Sequence, residues 1–250
     1  MKLTQRALTL IFVLLFVGAG TIATAVAVPP PIEHAVGWLT VSGTYIDEVV
    51  VQSSDNMYFL RRNYLGEPDF EGSYYADFRV NFDPENESRK IVIYGNAFSM
   101  DPNGARFDQL NRHRDSNFVR ENPYIYLTVD GVKRTYQIFA VSVVIVTDAQ
   151  FPYNNPNLND RDFLSVVGRI QEKCMHQIEG ITINASDRLL MLDAPDHSTG
   201  VFTEYALVVM AKLINEADDN TNHSSAGQPE GVALCSSETL NHNINPRTGR

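Results

Sequence analysis

The amino-acid sequence predicts an all-β fold with few helices, closed or nearly closed into a β-barrel of about eight strands. Nine short runs have the alternation and the β-branched or aromatic content of strands. Asp130-Gly131 separates two of these runs, and both residues tolerate the positive φ of a hairpin turn. Only one segment has clear helical periodicity. Many short strands with few helices are typical of a barrel.

The predicted strands follow one another from residue 37 onward. They cover 37–41, 48–52, 74–79, 90–94, 124–129, 133–146, 180–183, 188–192 and 205–214. The helical segment has an apolar stripe with spacings of four, three and four, formed by Phe163, Val167, Ile170 and Cys174. Asn159 or Asp160 is placed to cap the start of this helix. A second, weaker helix is expected over 105–112.

The chain divides into three parts. Residues 1–28 contain an uncharged run that follows Lys2 and Arg6, and this pattern predicts a membrane anchor or a cleaved signal peptide. The run is longer than a usual signal-peptide core, which favours the uncleaved anchor. Residues 32–214 form one domain, and the polar segment 215–250 is expected to be disordered because it has few apolar side chains to bury. We expect a single-pass protein of a bacterial cell membrane with its domain outside, or a secreted one after cleavage.

Composition excludes several kinds of partner. The formal net charge is −10, which repels phosphate backbones, and no basic stripe is present, so nucleic acid is excluded. The two cysteines, Cys174 and Cys235, cannot make a disulfide framework and have no metal-ligand spacing. On the apolar stripe, Cys174 is interpreted as a packing residue, and Cys235 in the tail as a bystander. We expect no cofactor and no metal.

Several short segments share the order and spacing of one known family. They are Gly37-Trp38-Leu39, Gly72-Ser73-Tyr74-Tyr75-Ala76-Asp77, Ile91-Val92-Ile93-Tyr94-Gly95, Arg188-Leu189-Leu190-Met191-Leu192 and Leu207-Val208-Val209-Met210-Ala211-Lys212-Leu213. With these segments, residues 32–214 resemble the sortases, and class B most closely. The resemblance implies a sortase-like barrel. Active sortases are cysteine transpeptidases, in which a thiolate attacks a sorting-signal carbonyl, a histidine handles the leaving amine's proton and an arginine stabilises the oxyanion.

The three catalytic positions that the resemblance implies carry other residues. The histidine position is Asn96, the cysteine position is Pro195, and the arginine position is Ala206. Asn96 has no proton that titrates near neutral pH, Pro195 has neither a nucleophile nor a backbone N–H, and Ala206 has no charge. The chain is therefore similar to a sortase that has lost its catalytic groups, a pseudo-sortase.

Two hypotheses for function follow. In the first, the domain is a non-catalytic surface protein that binds a sorting-signal peptide, a pilin or an active sortase, with Phe151 and Tyr153 as groove candidates. The alternative is a divergent transpeptidase or hydrolase with a relocated site, for which Asp193, Asp196 and His197 are the best candidates. These hypotheses differ in whether the three side chains converge on one cleft with perturbed pKa values.

Overall fold

The computed structural model describes residues 32–200 and 203–218, together with the backbone of 232–234. The strands within these ranges are β1 (Ala35–Val41), β2 (Asp47–Val51), β3 (Tyr74–Ala76), β4 (Lys90–Tyr94), β5 (Tyr124–Val129), β6 (Val132–Ile145), β7 (Cys174–Ile178), β8 (Leu189–Pro195), β9 (Tyr205–Asp218) and β10 (Val232–Leu234). The helices are α1 (Ser116–Glu121) and α2 (Asp160–Glu172), with 3₁₀ helices at Tyr58–Arg61 and Arg106–Arg114.

Eight of these strands close into a barrel. Their order is β6-β5-β1-β2-β3-β4-β8-β9, and β9 pairs back with β6 to close the sheet. Strand β7 pairs with β6 outside this ring, and β10 adds to β7. Neighbours in the ring are antiparallel except for the β2–β3 and β4–β8 pairs, which are parallel. The predicted all-β class, few helices and strand number are confirmed.

Alternation along the strands divides the apolar side chains between two cores. Each barrel strand contributes to the interior, with Leu39, Val50, Tyr74, Ile93, Ile125, Ile138, Leu192 and Val209 among its buried residues. The second core lies outside the barrel, where α2 packs on β6 and shares buried side chains with β4, β8 and β9. Its buried residues include Val92, Met191, Val208, Met210, Phe163, Val167 and Ile170. Burying each such side chain stabilises the fold by about 1.5–3 kcal/mol. Strands β4 and β8 are therefore fixed from both faces.

Helix α2 begins as predicted but ends earlier. Asn159, rather than Asp160, is its N-cap, and its side chain accepts a hydrogen bond from the Asp162 amide at 3.0 Å. The helix ends at Glu172, so the prediction that Cys174 lies on its stripe is wrong. Cys174 is the first residue of β7, where it is buried and disulfide-bonded. It therefore carries no free thiol.

Two further elements differ from the sequence prediction. The strand expected at 180–183 is not formed, because Gly180 has a φ of +80° and turns the chain directly after β7. Ile181 still packs, partly buried, against both cores. The weaker helix expected over 105–112 is the 3₁₀ helix Arg106–Arg114.

The C-terminal boundary lies beyond the predicted one. Strand β9 runs four residues past 214 because it stays paired with β6, with Asp218 opposite Val132. Strand β10 also falls within the segment predicted to be disordered, so that prediction is wrong for 215–218 and 232–234. The rest of the tail, including Cys235, lies outside the described residues, as does the predicted anchor or signal peptide at 1–28. Within the described ranges, no helix is long and apolar enough to cross a membrane.

Candidate functional site

The ends of β4, β8 and β9 bring the three family catalytic positions to one place. Pro195, the last residue of β8, pairs directly with Ala206 on β9. In the parallel β4–β8 pair, Tyr94 lies opposite Asp193, so Asn96 leaves β4 at the level where Pro195 leaves β8. Asn96 and Pro195 line two cavities, one of about 590 Å³ and one of about 260 Å³. Ala206 lines the smaller one.

Asn96 connects the 3₁₀ helix Tyr58–Arg61 and the loop at Glu71 to the end of β4. Its side chain is buried, and Nδ2 donates to the carbonyl oxygens of Leu60 at 2.8 Å and Glu71 at 2.9 Å. The backbone of Gly72 approaches so closely that an added Cβ would lie 2.8 Å from Nδ2. An amide holds this position well because its NH₂ group supplies two donors without any charge. Asn96 is therefore an anchor, and it has no proton to exchange near neutral pH.

Pro195 and Ala206 leave the rest of this site without reactive groups. The Pro195 ring is exposed between the two cavities, and its nitrogen carries no hydrogen. The Ala206 methyl group is buried at the side of the smaller cavity. These two residues and Asn96 provide surface and shape but no nucleophile, general base or cation.

The larger cavity has an aromatic wall. Phe70 stacks on Phe98 with ring centroids 5.0 Å apart, and the Arg61 guanidinium lies 5.2 Å from the centre of Phe70 and 5.9 Å from that of Phe98. Such cation–π contacts hold an arginine in place while its polar edge stays accessible. Phe70 is 71% exposed, which is unusual for a residue that packs in this way. His197 and Glu204 add polar groups to the lining.

The smaller cavity combines tyrosine rings with one acid. Its lining includes Tyr75, Tyr94, Tyr153 and Tyr205, together with Asp193. Tyr75 and Tyr94 have ring centroids 5.4 Å apart. Burial raises the pKa values of Tyr75, Tyr94 and Tyr153 above their ordinary values, so these rings stay neutral. The cavity is therefore aromatic and uncharged apart from its acid.

Asp193 is the acid of this cavity, and only 5% of it is exposed. Burial raises its pKa to about 7, while a hydrogen bond from the Tyr153 side chain and the charge of Lys90 act in the opposite direction. Its Oδ2 has no hydrogen-bond partner among the described residues. A buried carboxyl oxygen without a partner costs about 1–3 kcal/mol or more. Asp193 is thus a poorly satisfied acid at the edge of an open space.

A buried lysine lies close to this acid. Lys90, the first residue of β4, donates from Nζ to the Tyr153 carbonyl oxygen at 2.5 Å and is 1% exposed. Burial lowers its pKa to about 7, and the charge of Arg79 acts in the same direction. Lys90 and Asp193 are therefore both close to losing their charge at neutral pH.

Asp77 does not line the smaller cavity but holds Tyr94, which does. Its carboxylate accepts from the Arg79 guanidinium at 2.7 and 2.8 Å, from Asn56 at 3.0 Å and from the Tyr94 hydroxyl at 2.9 Å. Burial by itself raises the pKa of Asp77, but these hydrogen bonds outweigh it and lower the pKa. Asp77 therefore holds the hydroxyl group of Tyr94, a residue that lines the cavity.

The acids and the histidine proposed as a relocated site do not converge. Asp193 lines the smaller cavity, whereas His197 lines the larger one and places Nε2 2.9 Å from the Ala97 carbonyl oxygen. Asp196 lines neither cavity, because its buried carboxylate pairs with Arg114 at 2.7 Å.

The two aromatic groove candidates also have separate places. Tyr153 lines the smaller cavity. Phe151 is buried under the Arg169 guanidinium, 4.1 Å from its ring centre, and lines neither cavity.

The sequence did not predict the role of Lys90 or the aromatic wall of the larger cavity. The available signal for Lys90 was a lysine on the same strand face as apolar Val92. Arg61 ends a short 3₁₀ helix and Phe70 lies in a loop, and neither segment has a repeating pattern. In the described part of the chain, no group of His, Cys, Asp and Glu could hold a metal ion.

Comparison with known proteins identifies the family. No protein-family profile matches the chain. The sortase B of Listeria monocytogenes is 26% identical over 185 residues, which are 74% of this chain and 71% of that protein. The crystal structure of Clostridium perfringens sortase B is 30% identical, with a TM-score of 0.65 over 73% of this chain and 94% of that chain. This chain belongs to the sortase B family. A Staphylococcus aureus sortase B–substrate complex, 23% identical, has the same fold with a TM-score of 0.63 over 73% of this chain and 81% of that chain.

Proposed function

We propose that this sortase B family member is a catalytically inactive surface protein that binds an extended peptide in the groove formed by the two cavities. The observation that carries the proposal is that Asn96, Pro195 and Ala206 lie together beside open cavities, where β4 and β8 end and β9 begins. The binding surface is kept while the groups that would perform acyl transfer are replaced. Aromatic rings and strand ends bind extended peptides without any chemistry.

Several kinds of ligand fit this proposal. The Staphylococcus aureus relative was solved with a substrate, which supports a sorting-signal peptide as the first ligand to test. A pilin or an active sortase could present a similar extended segment. We further propose that the domain acts outside a bacterial membrane, tethered through its N-terminal apolar run or secreted after cleavage of that run. The disulfide-bonded state of Cys174 supports an oxidising compartment.

Binding is tested with the purified full chain and fluorescent sorting-signal peptides. Pro195→Trp places an indole between the two cavities, and we expect it to weaken binding by at least about tenfold because it fills the space that the peptide needs. Pro84→Trp is the matched control, since Pro84 is exposed and lines neither cavity. Mass spectrometry of the bound peptide should detect no cleavage. Equal affinity in both variants would refute the proposed groove.

The relocated-site enzyme remains a second candidate because of one observation. Asp193 has a pKa of about 7 beside an open cavity, and this is the range in which a carboxyl can act as a general acid or base. Peptide cleavage by the unmodified chain that is lost in Asp193→Asn would support this candidate over the binding protein.

A further inference from the structure

The smaller cavity contains an unsatisfied acid that the proposed peptide binding does not by itself explain. Oδ2 of Asp193 has no hydrogen-bond partner among the described residues, and the residue is 5% exposed. The same side chain lines a cavity of about 260 Å³. This volume equals the share of roughly eight or nine waters in the liquid, and the side chain of a lysine fits within it. Asp193 is therefore an incompletely satisfied acid in the wall of a space that a ligand group can enter.

The other walls of the cavity are those that a cation prefers. Four tyrosine rings, from Tyr75, Tyr94, Tyr153 and Tyr205, line the space around Asp193. The faces of aromatic rings attract ammonium groups, by about 2 kcal/mol when the site is desolvated. Three of these side chains remain neutral at physiological pH, because burial raises the pKa values of Tyr75, Tyr94 and Tyr153. They add aromatic surface to the cavity without adding charge.

The surrounding charges do not already neutralise Asp193. Asp77 is ionised, and its carboxylate accepts hydrogen bonds from Arg79, Asn56 and Tyr94. The Arg79 guanidinium balances its charge locally. Lys90 interacts with Asp193 only through its charge, and its Nζ donates to the Tyr153 carbonyl oxygen instead. The pKa of Lys90 is about 7, and a second positive charge nearby would lower it further, so Lys90 would lose its proton when a cation binds. An incoming cation therefore meets an acid without a hydrogen-bonded counter-ion.

We propose that the smaller cavity is a subsite for a primary ammonium group, and specifically for the side chain of a lysine in the bound peptide. The ammonium would donate to the Asp193 carboxyl group and lie against the tyrosine side chains. This assignment rests on the proposed peptide binding for the source of the lysine, but the cavity itself can be tested without a peptide. A glutamate or another acidic side chain is excluded by the same carboxyl group.

The first test uses n-butylammonium chloride, which carries the end of a lysine side chain, with n-butanol as the uncharged probe. Titration of the full chain by NMR should give saturable shifts near Asp193 with butylammonium and much weaker ones with butanol. Asp193→Asn should reduce the butylammonium affinity by at least about tenfold, because a hydrogen bond to a charged group is lost. Glu85→Gln removes an exposed acid that lines neither cavity and should change the affinity less than about twofold.

The second test uses matched pools of sorting-signal peptides with lysine or norleucine at one position. A preference of about tenfold for lysine in the unmodified chain, absent in Asp193→Asn, supports the subsite. Pools that bind without any lysine preference, together with no response to butylammonium, overturn the subsite but leave the peptide groove standing. Conversely, an Asp193-dependent response to butylammonium with no binding of any pool supports the subsite and overturns the proposed function. Unfolding curves of each variant verify that the barrel is intact.

Discussion

The buried acid Asp193 should impose a measurable pH dependence on the stability of the barrel. Its pKa is about 7 in the folded protein, against 3.8 for the free side chain. Between these values the folded state holds a proton that the unfolded state has released, so folding becomes less favourable as the pH rises from about 4 to about 7. At about 1.4 kcal/mol per pH unit, three units of difference correspond to up to about 4 kcal/mol.

Asp193→Asn removes this cost, because an amide is neutral at every pH. Near pH 4 the variant should match the unmodified chain or be about 1–3 kcal/mol less stable, since the amide also needs partners in the buried site. By pH 8 the difference in unfolding free energy should have moved in favour of the variant by up to about 4 kcal/mol. The change with pH is the signature, because other carboxyls titrate equally in both proteins.

Chemical denaturation at several pH values between 4 and 8 measures this difference. Glu204→Gln is the control, because it makes the same carboxyl-to-amide change at an exposed residue near the site. If the difference between Asp193→Asn and the unmodified chain stays constant from pH 4 to pH 8, the buried and poorly satisfied state of Asp193 is refuted.

Three other changes test neighbouring parts of the site. Lys90→Met should raise the free energy of unfolding below pH 7, because burial makes the charged form of Lys90 costly in the folded state. This gain should disappear as the pH rises toward 10.5, and denaturation at pH 6 and pH 9 measures it. Asn96→Ala should cost about 1–3 kcal/mol of unfolding free energy, since two carbonyl oxygens lose their donor; thermal unfolding measures the loss. Gly72→Ala should be more damaging than Gly131→Ala in the same assay, because both have positive φ but a Cβ at Gly72 meets a carbonyl oxygen at 2.6 Å and one at Gly131 meets nothing.

The sequence predicted the barrel well because strand alternation is a local signal. β4 and β5 match the predicted bounds, and β6 differs by one residue at each end. The prediction of a strand at 180–183 was wrong, because hydrophobic periodicity does not detect the turn at Gly180 that follows β7. The extension of β9 to Asp218 also escaped, since its polar end is held by pairing with β6 and not by its own composition.

The sequence predicted site residues only where a motif could be compared with the sortase motifs. Asn96, Pro195 and Ala206 were found through the resemblance, and the strand pairing then places them together. The relation between Asp193 and Lys90 was not predictable, because it depends on which face of β4 and β8 the loop before α2 covers. Side chains close in sequence, such as Asp193 and Asp196, also have different surroundings, since Asp193 lines the smaller cavity and Asp196 pairs with Arg114, and composition does not indicate this.

The absence of transpeptidation chemistry is the central claim, and single-turnover cleavage of a sorting-signal peptide tests it most directly. The purified full chain is incubated with the peptide beside the variant Asn96→His, Pro195→Cys and Ala206→Arg, and both products and covalent adducts are measured by mass spectrometry. We expect no cleavage and no adduct with the unmodified chain. In the triple variant we expect the peptide to acylate the new cysteine, because the three positions lie together. Cleavage of the peptide by the unmodified chain would contradict the claim.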